Sequence, residues 1–219
     1  MNGYLCLMNE KKGPVVIGIC GGSGSGKTTL LRRVAEEFSQ LNPALFTMDN
    51  YYHPIEEQQL DANGIVNFDL PTALNEAQLT SDLRTLVSGK PIEVKEYFFN
   101  TTPVKNVLLT IQPSELVLVE GLFLYHYLAV HSMLDYSVFV DVEHAIQLDR
   151  RIYRDQDNRG YKRSDIIYQW DNHVMPCYDS FIAPYVSMAD FHFRNDHRAE
   201  TDFNLLMDSL RGLIHTKQS

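Results

Sequence analysis

Two hydrophobic rhythms alternate along this chain. Short, nearly continuous apolar runs occur at 15–20, 44–48, 116–119, 136–141 and 191–194, each the length of a strand. The run at 116–119 fits a strand buried on both faces. Between the runs the period becomes that of an amphipathic helix. Over 28–40 the apolar positions are Leu30, Leu31, Val34, Ala35 and Phe38. Over 74–87 they are Leu74, Ala77, Leu79, Leu83, Leu86 and Val87, and Gly89, Lys90 and Pro91 end that helix. The same spacing returns over 203–214. A charged helix is predicted over 143–157. Another runs from Ser164, read as its N-cap, to Met175, with Pro176 as an interruption and 183–186 as a loop. Two more strand-like stretches, 92–99 and 105–111, flank Asn100 to Pro103 and read as a hairpin-like flap. Such alternation makes a mostly parallel sheet with helices on both faces, so the expected class is α/β.

Composition works mainly by exclusion. A chain of 219 residues with 44% hydrophobic positions can build a real core, which removes disorder as a reading and indicates one domain with a small excursion. The net charge of −9 argues against a general nucleic-acid or anionic-membrane partner, while leaving room for a small phosphate ligand. Cys6, Cys20 and Cys177 have no metal-binding spacing and read as reduced intracellular thiols. No apolar run reaches the ~18 residues of a membrane span. Residues 1–12 read as a tail without the basic lead of a secretory signal. A cytoplasmic protein is expected.

The chemistry begins directly after the first apolar run. Gly21 to Thr28 reads GGSGSGKT, a full G-x-x-x-x-G-K-[ST] phosphate-binding loop in its required place between strand and helix. The nucleotide-binding set is Gly21, Gly22, Ser23, Gly24, Ser25, Gly26, Lys27, Thr28 and Thr29. Glycines let the backbone approach a polyphosphate, and successive N–H groups at the helix start point at the anion. Lys27 can reach the β- and γ-phosphates, and the Thr28 hydroxyl can hold Mg²⁺.

Carboxylates follow where parallel strands end, the edge at which ligands bind in open α/β sheets. Asp49 either takes a proton from an attacking hydroxyl or merely caps its turn. Glu120 is the expected partner for Mg²⁺, and Asp69 lies in a turn. Tyr97, Phe98 and Phe99 form an aromatic cluster more typical of core than of a ligand platform. His126 and His131 have no zinc spacing. Arg150, Arg151, Arg154, Arg159, Lys162 and Arg163 surround Gly160. They read as a lid over 150–163, hinged at Gly160, whose arginines close on transferring phosphates. The plainer alternative is a solvated face paired with Asp149, Asp155 and Asp157.

The segments TMDNYY, NFDLPTAL, LVLVEGLFLYH and DRRIYRDQDNRG, in this order behind the phosphate loop, resemble the uridine–cytidine kinase family. That family lies within a wider group that includes phosphoribulokinase and bacterial pantothenate kinase, and the similarity runs from about 15 to 210. The resemblance implies a phosphate-loop NTPase-type fold with a small β flap (92–111) and a helical lid within a single kinase domain (13–219). It implies ATP and Mg²⁺ as cofactors, with Thr28 and Glu120 as metal ligands. Asp49 would be the general base on a ribose 5′-hydroxyl, and Asp69 would bind the 2′- and 3′-hydroxyls. Arg151, Arg154 and Arg159 would be lid arginines and Gln169 a polar contact to the nucleoside. Tyr97 and Phe99 remain from the family's flap segment. Phe98, Thr102 and Val104 stand where the family has Asp, His and Arg, and Tyr161 replaces a lid arginine. The phosphoryl-transfer machinery thus reads as whole, while the edge that would read a pyrimidine has lost an ionisable group.

The expectation is an ATP-dependent kinase for a small-molecule hydroxyl, foremost a ribonucleoside 5′-hydroxyl. The alternatives are a same-fold kinase for a pantothenate-like or sugar-like acceptor, and a non-catalytic nucleotide switch. No N-K-x-D guanine-reading motif occurs. The partner the resemblance implies, by family analogy only, is a second copy of the chain in a homo-oligomer.

Overall fold

A computed structural model describes residues 13–99 and 107–218. The predicted tail and the flap tip, with Thr102 and Val104, lie outside the described residues. In chain order β1 (Val15–Gly21) leads into α1 (Lys27–Glu37), β2 (Ala44–Thr47) and α2 (Glu76–Val87). The ribbon β3 (Ile92–Lys95) and β4 (Leu108–Ile111) precedes β5 (Leu116–Gly121), α3 (Leu128–His131) and β6 (Tyr136–Asp141). Then come α4 (His144–Arg159), α5 (Arg163–Gln169), α6 (Met175–Cys177), β7 (Phe191–Arg194) and α7 (Ala199–Gln218).

The main sheet has the order β2-β5-β1-β6-β7, with every pairing parallel. Its two faces carry separate cores. Ile17 and Ile19 of β1 pack with Leu30 and Val34 of α1 and Leu206 and Leu210 of α7. Val16 and Cys20, pointing the other way, pack with Phe46, Leu79, Leu83 and Phe139. Helical cover on both sides explains why the strands are apolar at nearly every position. Among the described residues no helix is long and apolar enough to cross a membrane.

Several boundaries differ from the pattern-based expectation, each for a local reason. β2 stops at Thr47, because the Thr47 hydroxyl accepts the Asp49 N–H (3.3 Å) and starts a 3₁₀ turn, Met48–Tyr51. α2 begins at Glu76, capped by the Asn75 side chain, which accepts the Gln78 N–H. β3 ends at Lys95, and the Tyr97 N–H bonds the Asn50 side chain (3.2 Å), so the flap base docks beside the end of β2. Gly160 (φ +68°) caps the C-terminus of α4. Ser164 is not an N-cap. Lys162 holds that place, and the Ser164 hydroxyl donates to Asp165.

Pro176 does not interrupt its helix. The backbone stays helical on both sides of α6 by widening into π turns, Trp170–Val174 and Tyr178–Ile182. The Met175 N–H reaches back five residues to the Trp170 carbonyl, a spacing that accommodates the missing proline donor. The stretch expected as a loop is a 3₁₀ helix, Ala183–Met188. α7 starts at Ala199, four residues before the apolar pattern does, because its first turn is polar and Asp202 receives the backbone N–H and side chain of Arg194.

Candidate active site

The phosphate loop is shaped from behind. Gly24 has φ +78°, and a Cβ there would collide with the Gln147 carbonyl of α4. The Ser25 carbonyl accepts from the Asn195 side chain (2.6 Å) and from Arg150 (3.2 Å), tying the loop to the end of β7 and to α4. Arg150 therefore braces the rear of the loop, whereas Arg151, one residue on, enters the cleft. Lys27 at the start of α1 donates to the Gly22 carbonyl (2.9 Å).

The sheet register sets the floor. Thr47 of β2 lies opposite Glu120 of β5, and its hydroxyl donates to the Glu120 carboxylate (2.8 Å). Glu120 is 4% exposed. Burial, then the neighbouring Asp49 charge, pushes its carboxyl above the usual range, against the pull of Lys27, Thr47 and Thr28. Two carboxylates, a threonine hydroxyl and a lysine thus meet at one point. Such hard oxygen donors fit Mg²⁺. Among the described residues no cluster of three or more His, Cys, Asp or Glu could hold a metal ion.

Arg151 joins the loop to the far end of the cleft. It is 8% exposed. It donates to the Ser23 hydroxyl (2.9 Å) and to the Gln169 side-chain carbonyl (3.1 Å), and lies 3.6 Å from Asp69. Asp69 is fixed by its turn, whose Asn67 side chain accepts the Asp69 N–H (2.9 Å). Behind Arg151, helical spacing stacks a buried carboxylate, Asp155, among three arginines, at 3.4 Å from Arg151, 2.7 Å from Arg154 and 3.2 Å from Arg159. Burial, then repulsion from Arg154, lowers the Arg159 guanidinium from its ordinary value. Three guanidiniums against the two carboxylates of Asp155 and Asp69 suit an anion.

The remaining wall is aromatic. Tyr52, Phe68 and Phe99 meet edge to face, with centroids 5.1 to 6.0 Å apart, and the Arg159 guanidinium sits 4.1 Å from the Phe99 ring centre. Burial, then the charges of Asp49 and Asp69, drives the Tyr52 phenol well above its ordinary range. Tyr97 packs against Tyr52 and Phe99 but lines the neighbouring groove with Phe98; Tyr161 borders both spaces.

These surfaces line one open cleft. It brings together Ser23, Gly24, Lys27, Thr28, Asp49, Asp69, Phe99, Glu120, Arg151, Arg154, Arg159 and Gln169. Gly21, Gly22, Ser25, Gly26 and Thr29 of the loop do not line it, and Tyr97 lies behind its aromatic wall. Sequence reasoning missed Tyr52, Phe68 and Leu122 as cleft residues. Tyr52 could have been found from its place three residues after Asp49 at a strand end. Asp155 appeared only as a surface partner; its spacing of four from both Arg151 and Arg159 was the available signal.

A family model described as Phosphoribulokinase / Uridine kinase family matches residues 16–202, and the chain belongs to this family. It is an ATP-dependent kinase. It is 33% identical over 201 residues to a uridine kinase of Deinococcus deserti, covering 92% of this chain and 97% of that one. It is 28% identical over 212 residues to a uridine kinase of Ligilactobacillus salivarius, covering 97% and 100%. Among solved structures, phosphoribulokinase from Rhodobacter spheroides shares the fold, with a TM-score of 0.62 at 19% identity over 84% of this chain and 70% of that one. A possible uridine kinase from Bacillus stearothermophilus does so at 0.56 and 20%, over 83% and 89%.

Proposed function

We propose that the chain transfers the γ-phosphoryl group of ATP to the 5′-hydroxyl of a ribonucleoside. One observation carries this reading. A single cleft runs from the phosphate loop, past Asp49 and Glu120, to a buried Asp69 beside an aromatic wall. That order matches an acceptor with a reactive hydroxyl at one end, a vicinal diol in the middle and a planar ring beyond. The uridine kinases among its relatives support the same acceptor class.

The roles follow from placement. Lys27 and the N–H groups opening α1 hold the phosphates. Thr28 and Glu120 would hold Mg²⁺, which when bound would supply positive charge to the phosphates. Asp49 orients the acceptor hydroxyl and accepts its proton as the new P–O bond forms. Asp69 accepts hydrogen bonds from the diol, and Arg151, 3.6 Å away, keeps that carboxylate aimed. Arg154 and Arg159 offer the transferring group positive charge that Asp155 alone does not balance.

Two measurements test this. Asp49→Asn should bind ATP as before while kcat falls by about 10²–10⁴; near-full activity removes Asp49 as the base. ADP release should be followed with ribonucleosides, deoxyribonucleosides, pantothenate and simple sugars. Ribonucleosides should be turned over, and 2′-deoxy analogues at least about tenfold less efficiently, since Asp69 then loses a partner. Turnover of pantothenate or sugars alone overturns the acceptor assignment.

A further inference from the structure

Residues 59–67 form a miniature hairpin leading directly into Asp69. Leu60 bridges Val66, the Asn67 N–H donates to the Gln59 carbonyl (2.8 Å), and the Asp61 N–H to the Ile65 carbonyl (2.8 Å). Burial does not hold this hairpin, since Leu60 and Ile65 are exposed. Its base is tied by Gln58 to the His53 and Ala73 carbonyls and by Gln59 to Thr72. Its tip is tied elsewhere. The Asp61 carboxylate accepts the Tyr168 hydroxyl (2.6 Å) and lies 2.8 Å from His173 Nε2, and Asn63 donates to the Tyr168 oxygen (2.6 Å).

His173 is 2% exposed, and its Nδ1 has no hydrogen-bond partner among the described residues. Asp61 can only accept, so His173 carries its proton on Nε2 and donates it. The Tyr168 hydrogen bond first, then the Ile65 N–H, His173 and Asn63, hold the Asp61 carboxyl well below the usual carboxylate range against burial. Tyr168 precedes Gln169, and His173 follows it on the π turn Trp170–Val174. The two tethers therefore span the same pair of segments. Inside the cleft, Arg151 links Asp69 to Gln169; outside it, Asp61 grips the residues on either side of Gln169.

We infer that Tyr168 and His173, clasping Asp61, are positioning residues that set the spacing between Asp69 and Gln169 and thereby the affinity for the acceptor. The inference deepens the proposed nucleoside-kinase reading and rests on it. It separates the acceptor end from the nucleotide end, because the clasp touches neither the phosphate loop nor α1.

The test compares wild type with His173→Phe, which keeps the ring's volume without the donor, and Asp61→Asn. In each variant the acceptor KM should rise about tenfold while the KM for ATP stays within about twofold. The double variant should be no worse than Asp61→Asn alone, since that substitution already disturbs the bond that His173→Phe removes. A parallel rise in both KM values, or loss of activity in step with thermal stability, reduces the clasp to scaffold and overturns the inference, as do unchanged acceptor KM values. If wild type turns over no acceptor, the functional reading falls, and the inference with it. Failure of the clasp alone is recognised by normal wild-type turnover.

Discussion

At the scale of single residues, Glu120 lies where its surroundings oppose a charge. It is buried beside Asp49, and both burial and that charge act against its ionised form. Replacing it with Gln keeps an acceptor for the Thr47 hydroxyl and removes the repulsion. Glu120→Gln should therefore raise the thermal midpoint in metal-free buffer by a few degrees, about 1 kcal/mol, while Mg²⁺-dependent turnover collapses. Scanning calorimetry and a coupled assay on the same samples check both halves. A less stable Gln variant would mean that the carboxylate contributes more to the fold than its surroundings allow.

At the scale of elements, α4 presents its two faces to different tasks. Successive residues on a helix point about 100° apart, so Arg150 holds the back of the phosphate loop and Arg151 faces the cleft. Asp155 is the counterweight of that second face, 1% exposed and touching three guanidiniums. Asp155→Asn should cost about 2 kcal/mol by removing the carboxylate that faces buried Arg151 and half-buried Arg154 and Arg159, read as a lowered denaturant midpoint with unchanged slope.

The same helix shows what a sequence can reveal and where it stops. Its charged run is visible in the residue pattern, as are β6 and β7 to the residue, because local hydrophobicity decides them, whereas Gly160, read as a hinge, is the cap of a helix that runs two residues further than expected. Which arginine faces which side depends on how α4 crosses the phosphate loop, a tertiary fact. The π turns around Pro176 are equally hidden: periodicity marks the apolar face, whereas hydrogen bonding to Trp170 decides how the backbone passes the proline. Tyr52 and Phe68 come together with Phe99 from segments some thirty to fifty residues apart in sequence, beyond the reach of any local pattern.

Over the whole molecule, the sheet separates a working edge from two cores. Leu206 of α7 is fully buried on the α1 side, and it lines none of the cleft. Leu206→Ala should cost about 2–5 kcal/mol, while kcat at 20 °C stays within about twofold of wild type. Denaturant melts and steady-state assays on one preparation would show it; a matching fall in kcat would mean that this core reaches the cleft mechanically.

The strand order also fixes when a nucleotide can first be held. β1 is the middle strand, and its neighbours β5 and β6 are made only roughly a hundred residues later, as Val15 pairs with Leu116 and Ile17 with Tyr136. The brace on the Ser25 carbonyl comes later still, from Arg150 and Asn195. During synthesis the glycine-rich segment leaves the ribosome well before the strands and side chains that frame it. A nascent chain stalled before Leu116 carries the whole phosphate-loop sequence and should bind no ATP, which nucleotide binding to stalled ribosome complexes checks.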